Sequence, residues 1–505
     1  MEVFETIASS SSGKIIAKNT IYNLLGYGIP IIFALALMPP LIHGLGKERF
    51  GILSLVWMVI GYFSFLDLGI GRSLTKVIAE KIGLKKTEQI PIIFWSALLL
   101  MFSISVLVSV ISVFFVPSLL NQYLKISEVL KPETYKIFFA VSLSIPLITT
   151  SAGLRGVLEA YQQFNKVSYI RIILGVSTFL IPLIVLRLTN SLFWIVISLI
   201  SIRLIIWFVY LILNLRANTS ILHEIKFSFI SIKPLLKFSL WISLANIIGP
   251  LTLYSDRFII GMKVSAVAIT YYATPYEMIT KLLIIPSALV TVLFPVFSTN
   301  FLTNPELSKK LLLRGIKYIF LIIYPTVLLI NTFAKEGMDL WLGIDFAIHS
   351  AHILQILSIG ILMNCLSLVP NIFFQGTGKP KIPTLINLSE LPFYLPIMWF
   401  SITKWGITGA AITYLLMAVV DSVAMNFLAV KIFSLNIQKN SKIFIIIPLL
   451  ILIVPFILTS ILVKIIFSGV FLLVFSFIAW KYFLVEDERF LMVSKIQSLF
   501  KRKVN

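Results

Sequence analysis

A single cysteine, Cys365, stands among 505 residues, which excludes a disulfide framework and every cysteine-based metal motif. It lies in an apolar stretch and reads as a small core residue. Histidine is nearly as scarce. His43, His223, His349 and His352 fall at span ends or in expected loops, without Ser-His-Asp or metal-ligand spacing. Charge is scarce too, at 12% of residues, and no polar stretch is long enough for a soluble domain. The string Gly376-Thr377-Gly378-Lys379 lacks the rest of a phosphate-loop pattern and its preceding strand, so it reads as a turn. An enzyme and a bound cofactor are therefore not expected.

What fills the sequence instead is apolar: 59% of residues are hydrophobic and the mean hydropathy is +1.00. Such a chain needs lipid as its solvent. The net charge of +21 does not point to nucleic acid, because the basic residues sit in short gaps between apolar runs and form no patch with interleaved aromatics. The first apolar run is long enough to span and no cleavage site precedes it, so it reads as an uncleaved anchor.

A membrane-crossing helix takes about 20 apolar residues. That window gives about fourteen spans, near 19–42, 50–70, 91–116, 136–154, 168–188, 192–214, 236–260, 266–298, 315–333, 352–374, 383–402, 407–430, 442–463 and 466–484. With alternate gaps assigned to alternate sides, one side with both termini carries about 29 Lys and Arg and the other about 10, which puts both termini in the cytoplasm. The heaviest cytoplasmic loops are Arg72 to Lys86, Arg216 to Lys237 and Lys309 to Lys317. After Val485 the tail spaces Phe490, Val493, Ile496, Leu499 and Phe500 as an in-plane amphipathic helix would.

The spans suggest a duplication. After the fourth span stands LEAYQQFNKVSYIRI and after the tenth FFQGTGKPKIPTLIN, each with Gln-x-x-x-Lys (Gln162 with Lys166, Gln375 with Lys379) and a later mid-helix proline, Pro182 or Pro396. The expected fold is all-α and polytopic, with two parallel six-helix lobes and an additional C-terminal helix pair. The domain boundaries that follow are 14–215 for the first lobe, 216–235 for a cytoplasmic linker, 236–432 for the second lobe, 440–484 for the pair and 485–505 for the tail.

Gly26, Gly28 and Pro30 interrupt the first span, Pro250 the seventh, and Pro286 and Pro295 the eighth. Lipid cannot satisfy the backbone groups so freed, which nominates these helices as cavity walls. Ionisable residues inside spans cost about 2.5–3.5 kcal/mol each and are functional candidates. They are Arg203, Asp256 and Arg257, Glu277 and Lys281, Glu390 and Asp421, with Asp67 and Arg72 closing the second span. Glu277 and Lys281 are spaced to neutralise each other. Arg257 points away from Asp256 and reaches a substrate, a partner helix or the outer interface. Arg203 and Asp421, at similar depth in the sixth span of each copy, read equally well as a structural salt bridge. Mid-membrane cations such as Arg257 and Lys281 suit a diphosphate.

The segments FLDLGIGRSLTKVIAE (65–80) and YSDRFIIG (254–261), with the two Gln-x-x-x-Lys loops, resemble the Wzx-type flippases of polysaccharide repeat units. Their superfamily also holds multidrug extruders and lipid II flippases. The resemblance covers roughly residues 14–430 and implies a V-shaped pair of lobes in a bacterial cytoplasmic membrane. It implies export of undecaprenyl-diphosphate-linked oligosaccharide, beside other polysaccharide assembly proteins; with no ATP site visible in the sequence, an ion gradient is the expected drive. It places Asp67, Arg72, Asp256, Arg257, Glu277 and Lys281 in a cavity that takes diphosphate and sugar, with Arg203 and Asp421 peripheral. The helix pair after residue 440 departs from the twelve-span members and matches lipid II flippases, in which such a pair resembles a groove for the lipid tail; packing alone is the other reading. A lipid II flippase, a cation-coupled multidrug extruder and a membrane glycan polymerase stay open as alternatives, the last disfavoured by the short outer loops.

Overall fold

The computed structural model describes residues 13–65, 70–223, 227–228, 254–435, 447–483 and 489, and among them the chain is helical throughout. The helices are α1 (Gly13–Leu45), α2 (Lys47–Phe65), α3 (Ile70–Gly83), α4 (Ile90–Ser118), α5 (Lys131–Leu143), α6 (Ile145–Ala160), α7 (Phe164–Leu186) and α8 (Leu192–Ala217). They continue with α9 (Ala266–Thr280), α10 (Ile284–Thr303), α11 (Pro305–Thr332), α12 (Ala334–Leu342), α13 (Ile344–Gly376), α14 (Lys381–Phe433) and α15 (Ile461–Ile478). Nine helices among the described residues are long and apolar enough to cross a membrane. One of these, α14, has 53 residues and would run about 80 Å if straight, far beyond a bilayer core. It is two spans joined at Gly406, whose φ of 57° and ψ of −137° are open to glycine alone. The expected spans 383–402 and 407–430 flank this break.

Most of the expected span near 236–260, and the amphipathic tail apart from Arg489, lie outside the described residues. Two expected basic loops are helix instead. Ile70, Leu74, Ile78 and Ile82 are buried along one face of α3, so the segment Arg72 to Lys86 is mostly an amphipathic helix packed on α6. Glu80, Lys85 and Lys86 are exposed, and the count of charges hid the period. Likewise Lys309 to Lys317 belongs to the first turns of α11, where Ser308, Leu312 and Gly315 are buried.

The chain forms two compact units, Met1–Thr274 with Asn387–Ala410, and Pro275–Ile386 with Ala411–Asn505. In the first, small residues bring backbones close, as they do where lipid supplies no hydrophobic drive between helices. A Cβ on Gly51 of α2 would stand 1.9 Å from the carbonyl oxygen of Ala266. At the same crossing Thr270 Oγ1 donates to the Lys47 carbonyl at 2.6 Å. Gly156 of α6 faces Thr75, whose hydroxyl donates to its carbonyl at 2.8 Å. Between α4 and the 254–263 helix, the Lys125 N–H donates to Gly261 O at 3.0 Å and Lys125 Nζ to Lys263 O at 2.7 Å.

In the second unit, Asn331 Nδ2 donates to the Gln355 carbonyl at 3.2 Å and Gln355 Nε2 to the Asn331 carbonyl at 3.0 Å, tying α11 to α13. The C-terminal segments dock on the same helices. Tyr324 donates to Pro448 O at 2.9 Å, and its ring stacks on Phe475 of α15 at 4.9 Å. Lys464, 4% exposed, donates to both carboxylate oxygens of Glu336, at 2.8 and 3.0 Å. The outward side of α15 shows Leu462, Ile466, Val470, Leu473 and Phe477, a face for lipid.

The two Gln-x-x-x-Lys loops close by the same turn. Gln162, in the left-handed region at φ 58°, ends α6 with Gln162 N–H to Glu159 O and Gln163 N–H to Leu158 O. Gly378, at φ 78°, ends α13 with Gly378 N–H to Gln375 O and Lys379 N–H to Phe374 O. Both are the Schellman close of a helix. They align Gln162 with Gly378 and shift the register three residues from the motif, which paired Gln162 with Gln375.

Burial pushes the Glu336 carboxyl up, but the Lys464 ammonium outweighs it and holds the group below its ordinary value. A depressed carboxylate stabilises fully above about pH 5 and loses that contribution on acidification. Lys464→Met should lower stability by about 3 kcal/mol, because it leaves a partly buried carboxylate without its cation, while Glu336→Leu with Lys464→Met should recover most of it. Thermal unfolding of the purified proteins in one detergent measures both.

Candidate functional site

The eighth expected span is broken. Helix α9 ends at Thr280, Lys281–Leu283 make a tighter turn, and α10 begins at Ile284 with Pro286 in its first turn. Proline has no N–H to offer the carbonyl four residues back, so Leu282 O loses its helical donor. Thr280 Oγ1 donates to Tyr276 O at 2.8 Å beside the break. At this point Lys281 Nζ donates to Glu277 Oε2 at 2.9 Å, both side chains half-buried. The spacing of four residues places them on one face, as the sequence indicates.

Asp256 and Arg257 lie in the first unit and are 2% and 3% exposed. Asp256 Oδ1 accepts from the Arg257 backbone N–H at 2.6 Å. The guanidinium lies 5.8 Å from the ring centroid of Tyr254, one turn earlier. Tyr254 itself fits because residue 61 is glycine: a Cβ there would stand 2.8 Å from its hydroxyl. Arg257 is thus an oriented, deeply buried cation held over an aromatic face, an arrangement worth about 2 kcal/mol when desolvated.

The remaining candidates are dispersed. Asp67 lies outside the described residues, and Arg72 is in α3, its side chain not described. Glu390 is half-buried in the first half of α14. Asp421 is half-buried in the second half and hydrogen-bonds to Ser367 of α13. One helical turn from Ser367, Asn364 Nδ2 donates to Tyr414 Oη at 2.6 Å. Tyr414 packs against Gly360 and edge-on to Tyr276 at 5.5 Å. Arg203 is half-buried in the middle of α8. Sequence reasoning missed Tyr254, Tyr414 and Lys464. Tyr254 was within reach, three residues from Arg257 on a helix, whereas nothing local links Lys464 to Glu336.

Residues 16–301 match the profile of a family described as polysaccharide biosynthesis protein. The chain belongs to that family. A relative named "Putative O-antigen transporter" from Shigella flexneri is 29% identical over 432 residues, 83% of this chain and 99% of the relative. Among solved structures, the lipid II flippase MurJ in an inward closed conformation superposes with a TM-score of 0.71 at 14% identity, covering 92% of this chain and 99% of MurJ. An inward-facing multidrug transporter of the MATE family, in the MOP superfamily, gives 0.69 at 16% identity over 82% of this chain and 94% of its own. These family members and neighbours establish a multi-pass membrane protein with the MOP transporter fold.

The Glu277–Lys281 contact predicts a specific mutational pattern. Lys281→Met should lower the amount of folded protein in the membrane by leaving the half-buried Glu277 carboxylate without its cation, and Glu277→Gln with Lys281→Met should restore it. Fluorescence-detected size exclusion of tagged variants reads the outcome.

Proposed function

We propose that this protein is a flippase that carries undecaprenyl-diphosphate-linked oligosaccharide repeat units across the bacterial cytoplasmic membrane for surface polysaccharide synthesis. The observation that carries this reading is the 29% identity to the Shigella protein over 99% of that protein's length. The lobes 14–215 and 236–432 rock against each other by alternating access, with both termini on the cytoplasmic side, where the glycolipid is made. Arg257 is the principal contact for the diphosphate, since a guanidinium fork offers two parallel hydrogen bonds to phosphate oxygens. Lys281 contributes when Glu277 releases it, and Asp256, Asp67 and Arg72 are the further residues proposed to serve substrate binding. The polyprenyl chain stays in lipid, and an ion gradient drives the cycle. The protein works beside the other polysaccharide assembly proteins.

A lipid II flippase is the second reading. It is favoured by the MurJ superposition reaching 92% of this chain where the MATE neighbour reaches 82%, which leaves room for helices beyond the twelve-span core.

Deletion should accumulate lipid-linked oligosaccharide on the cytoplasmic face, and Arg257→Gln should reproduce that defect with normal membrane levels. The expected loss of export is about tenfold to a hundredfold, the range of one charge-assisted contact. Normal surface glycan in Arg257→Gln would overturn the cavity assignment. Rescue of a strain lacking its lipid II flippase would favour the second reading.

A further inference from the structure

Lys379, the lysine of the second Gln-x-x-x-Lys loop, lies at an end of the second unit where several helix termini converge. Phe433, the last residue of α14, meets Phe373 and Phe374 of α13 at 4.7 and 5.6 Å between ring centroids, and Phe301 of α10 at 5.5 Å. The Lys379 ammonium rests over the same Phe433 ring, 4.8 Å from its centroid, which brings the start and the end of α14 side by side. The start of α11 belongs to this end as well. A Cβ on Gly315 would stand 3.0 Å from Val369 of α13 and 3.1 Å from Leu293 of α10. Farther along, Asn331 of α11 meets Gln355 of α13. The two helices therefore run antiparallel, and residues before Gly315 share an end with residues after Val369.

This shared end is strongly basic. Lys310, Lys379, Lys381 and Lys431 are exposed, and α11 adds Arg314 and Lys317. Among the described residues of these segments the opposing charge is Glu306 alone, and Lys309 meets it at 2.8 Å. Apolar side chains stand one turn deeper. Leu385 follows Lys381 by four residues and Phe427 precedes Lys431 by four, so each shares a helix face with its lysine, and both are exposed. At the start and at the end of α14 the order is the same, a cation at the rim and hydrocarbon next to it toward the membrane core. A lipid headgroup with its acyl chain fits that order, whereas an acidic protein segment would leave the apolar side chains in contact with water or lipid of another molecule.

The geometry points to an anionic phospholipid docked at this end of the second unit, with Lys379 and Lys381 nearest its phosphate, Leu385 against an acyl chain, and Lys310 and Lys431 widening the positive field. Clusters of about four to eight Lys and Arg beside a membrane helix select anionic over neutral headgroups, each cation contributing about fivefold in affinity. That this end faces the cytoplasm rests on the proposed topology; the binding does not.

The test uses the full-length protein in neutral detergent, titrated with dioleoyl phosphatidylglycerol or dioleoyl phosphatidylcholine and read by native mass spectrometry. Wild type should hold phosphatidylglycerol at least about tenfold more tightly than phosphatidylcholine. Lys379→Gln with Lys381→Gln should weaken phosphatidylglycerol about 25-fold and leave phosphatidylcholine unchanged. The same two positions changed to Arg should keep the preference, and Leu385→Asn should weaken both lipids alike. Lys85→Gln with Lys86→Gln, which removes two exposed lysines from the first unit, should leave phosphatidylglycerol binding as it is. Equal affinity of wild type for the two lipids, unchanged binding in the Lys379 and Lys381 double variant, or an equal loss in the Lys85 and Lys86 variant would overturn the site. Tighter binding of undecaprenyl diphosphate than of phosphatidylglycerol would assign this face to the cargo, and tighter binding of a polyglutamate peptide would assign it to an acidic protein segment; either result overturns the phospholipid.

Discussion

Hydrocarbon offers no hydrogen bonds, so every backbone group that leaves a helix inside the membrane needs a partner from the protein. The breaks in this fold follow that constraint. Pro146 in the first turn of α6 has no N–H for the Ser142 carbonyl, and the Ser109 hydroxyl of α4 donates to it at 2.7 Å. Ser144, between α5 and α6, donates its hydroxyl to Val141 O at 2.7 Å. At the tight turn Lys281–Leu283 the Ile284 N–H is directed back to the Lys281 carbonyl, with an ion pair beside it. Glycines then set how near the satisfied helices approach: Gly51 to Ala266, Gly156 to Thr75 and Gly409 to the Ser401 carbonyl, where a Cβ would stand 2.1 Å away.

The same medium governs charge. Glu277 with Lys281 and Glu336 with Lys464 are ion pairs whose two members lie within one unit. Their role is to hold a broken helix and to fasten the C-terminal segment. Removing one member of such a pair costs more than removing both. Arg257 differs, since it is buried deeper and oriented by an aromatic ring. Under the proposed function, anion recognition falls chiefly to Arg257, and Lys281 joins it only with its pairing to Glu277 broken.

Much of this was legible from residue order alone. Span periodicity located α4, α7, α8, α11, α13 and α15, and a spacing of four residues gave Glu277–Lys281 outright. The basic run after Arg72 was misread, because net charge masked the buried face of Ile70, Leu74, Ile78 and Ile82. The repeat was legible but its register was not. A left-handed residue ends each helix, Gln162 in one copy and Gly378 in the other, and side-chain identity at the motif carries no information on that backbone angle. Lys464 was invisible as a partner of Glu336, since no local rule spans their separation. The family rests on the matched profile and the fold on the solved neighbours, whereas the proposed substrate rests on one relative at 29% identity and a few buried cations.

The central claim is that the cargo is an anionic glycolipid. The direct measurement is transbilayer movement in proteoliposomes holding the purified protein and an imposed ion gradient, with a fluorescent undecaprenyl-diphosphate oligosaccharide in one leaflet. The account predicts that this probe crosses and becomes accessible to an external glycosidase, while the matching neutral lipid-linked sugar without the diphosphate does not. Movement of a cationic drug with no movement of the diphosphate probe, or equal movement of the charged and neutral glycolipids, would contradict it.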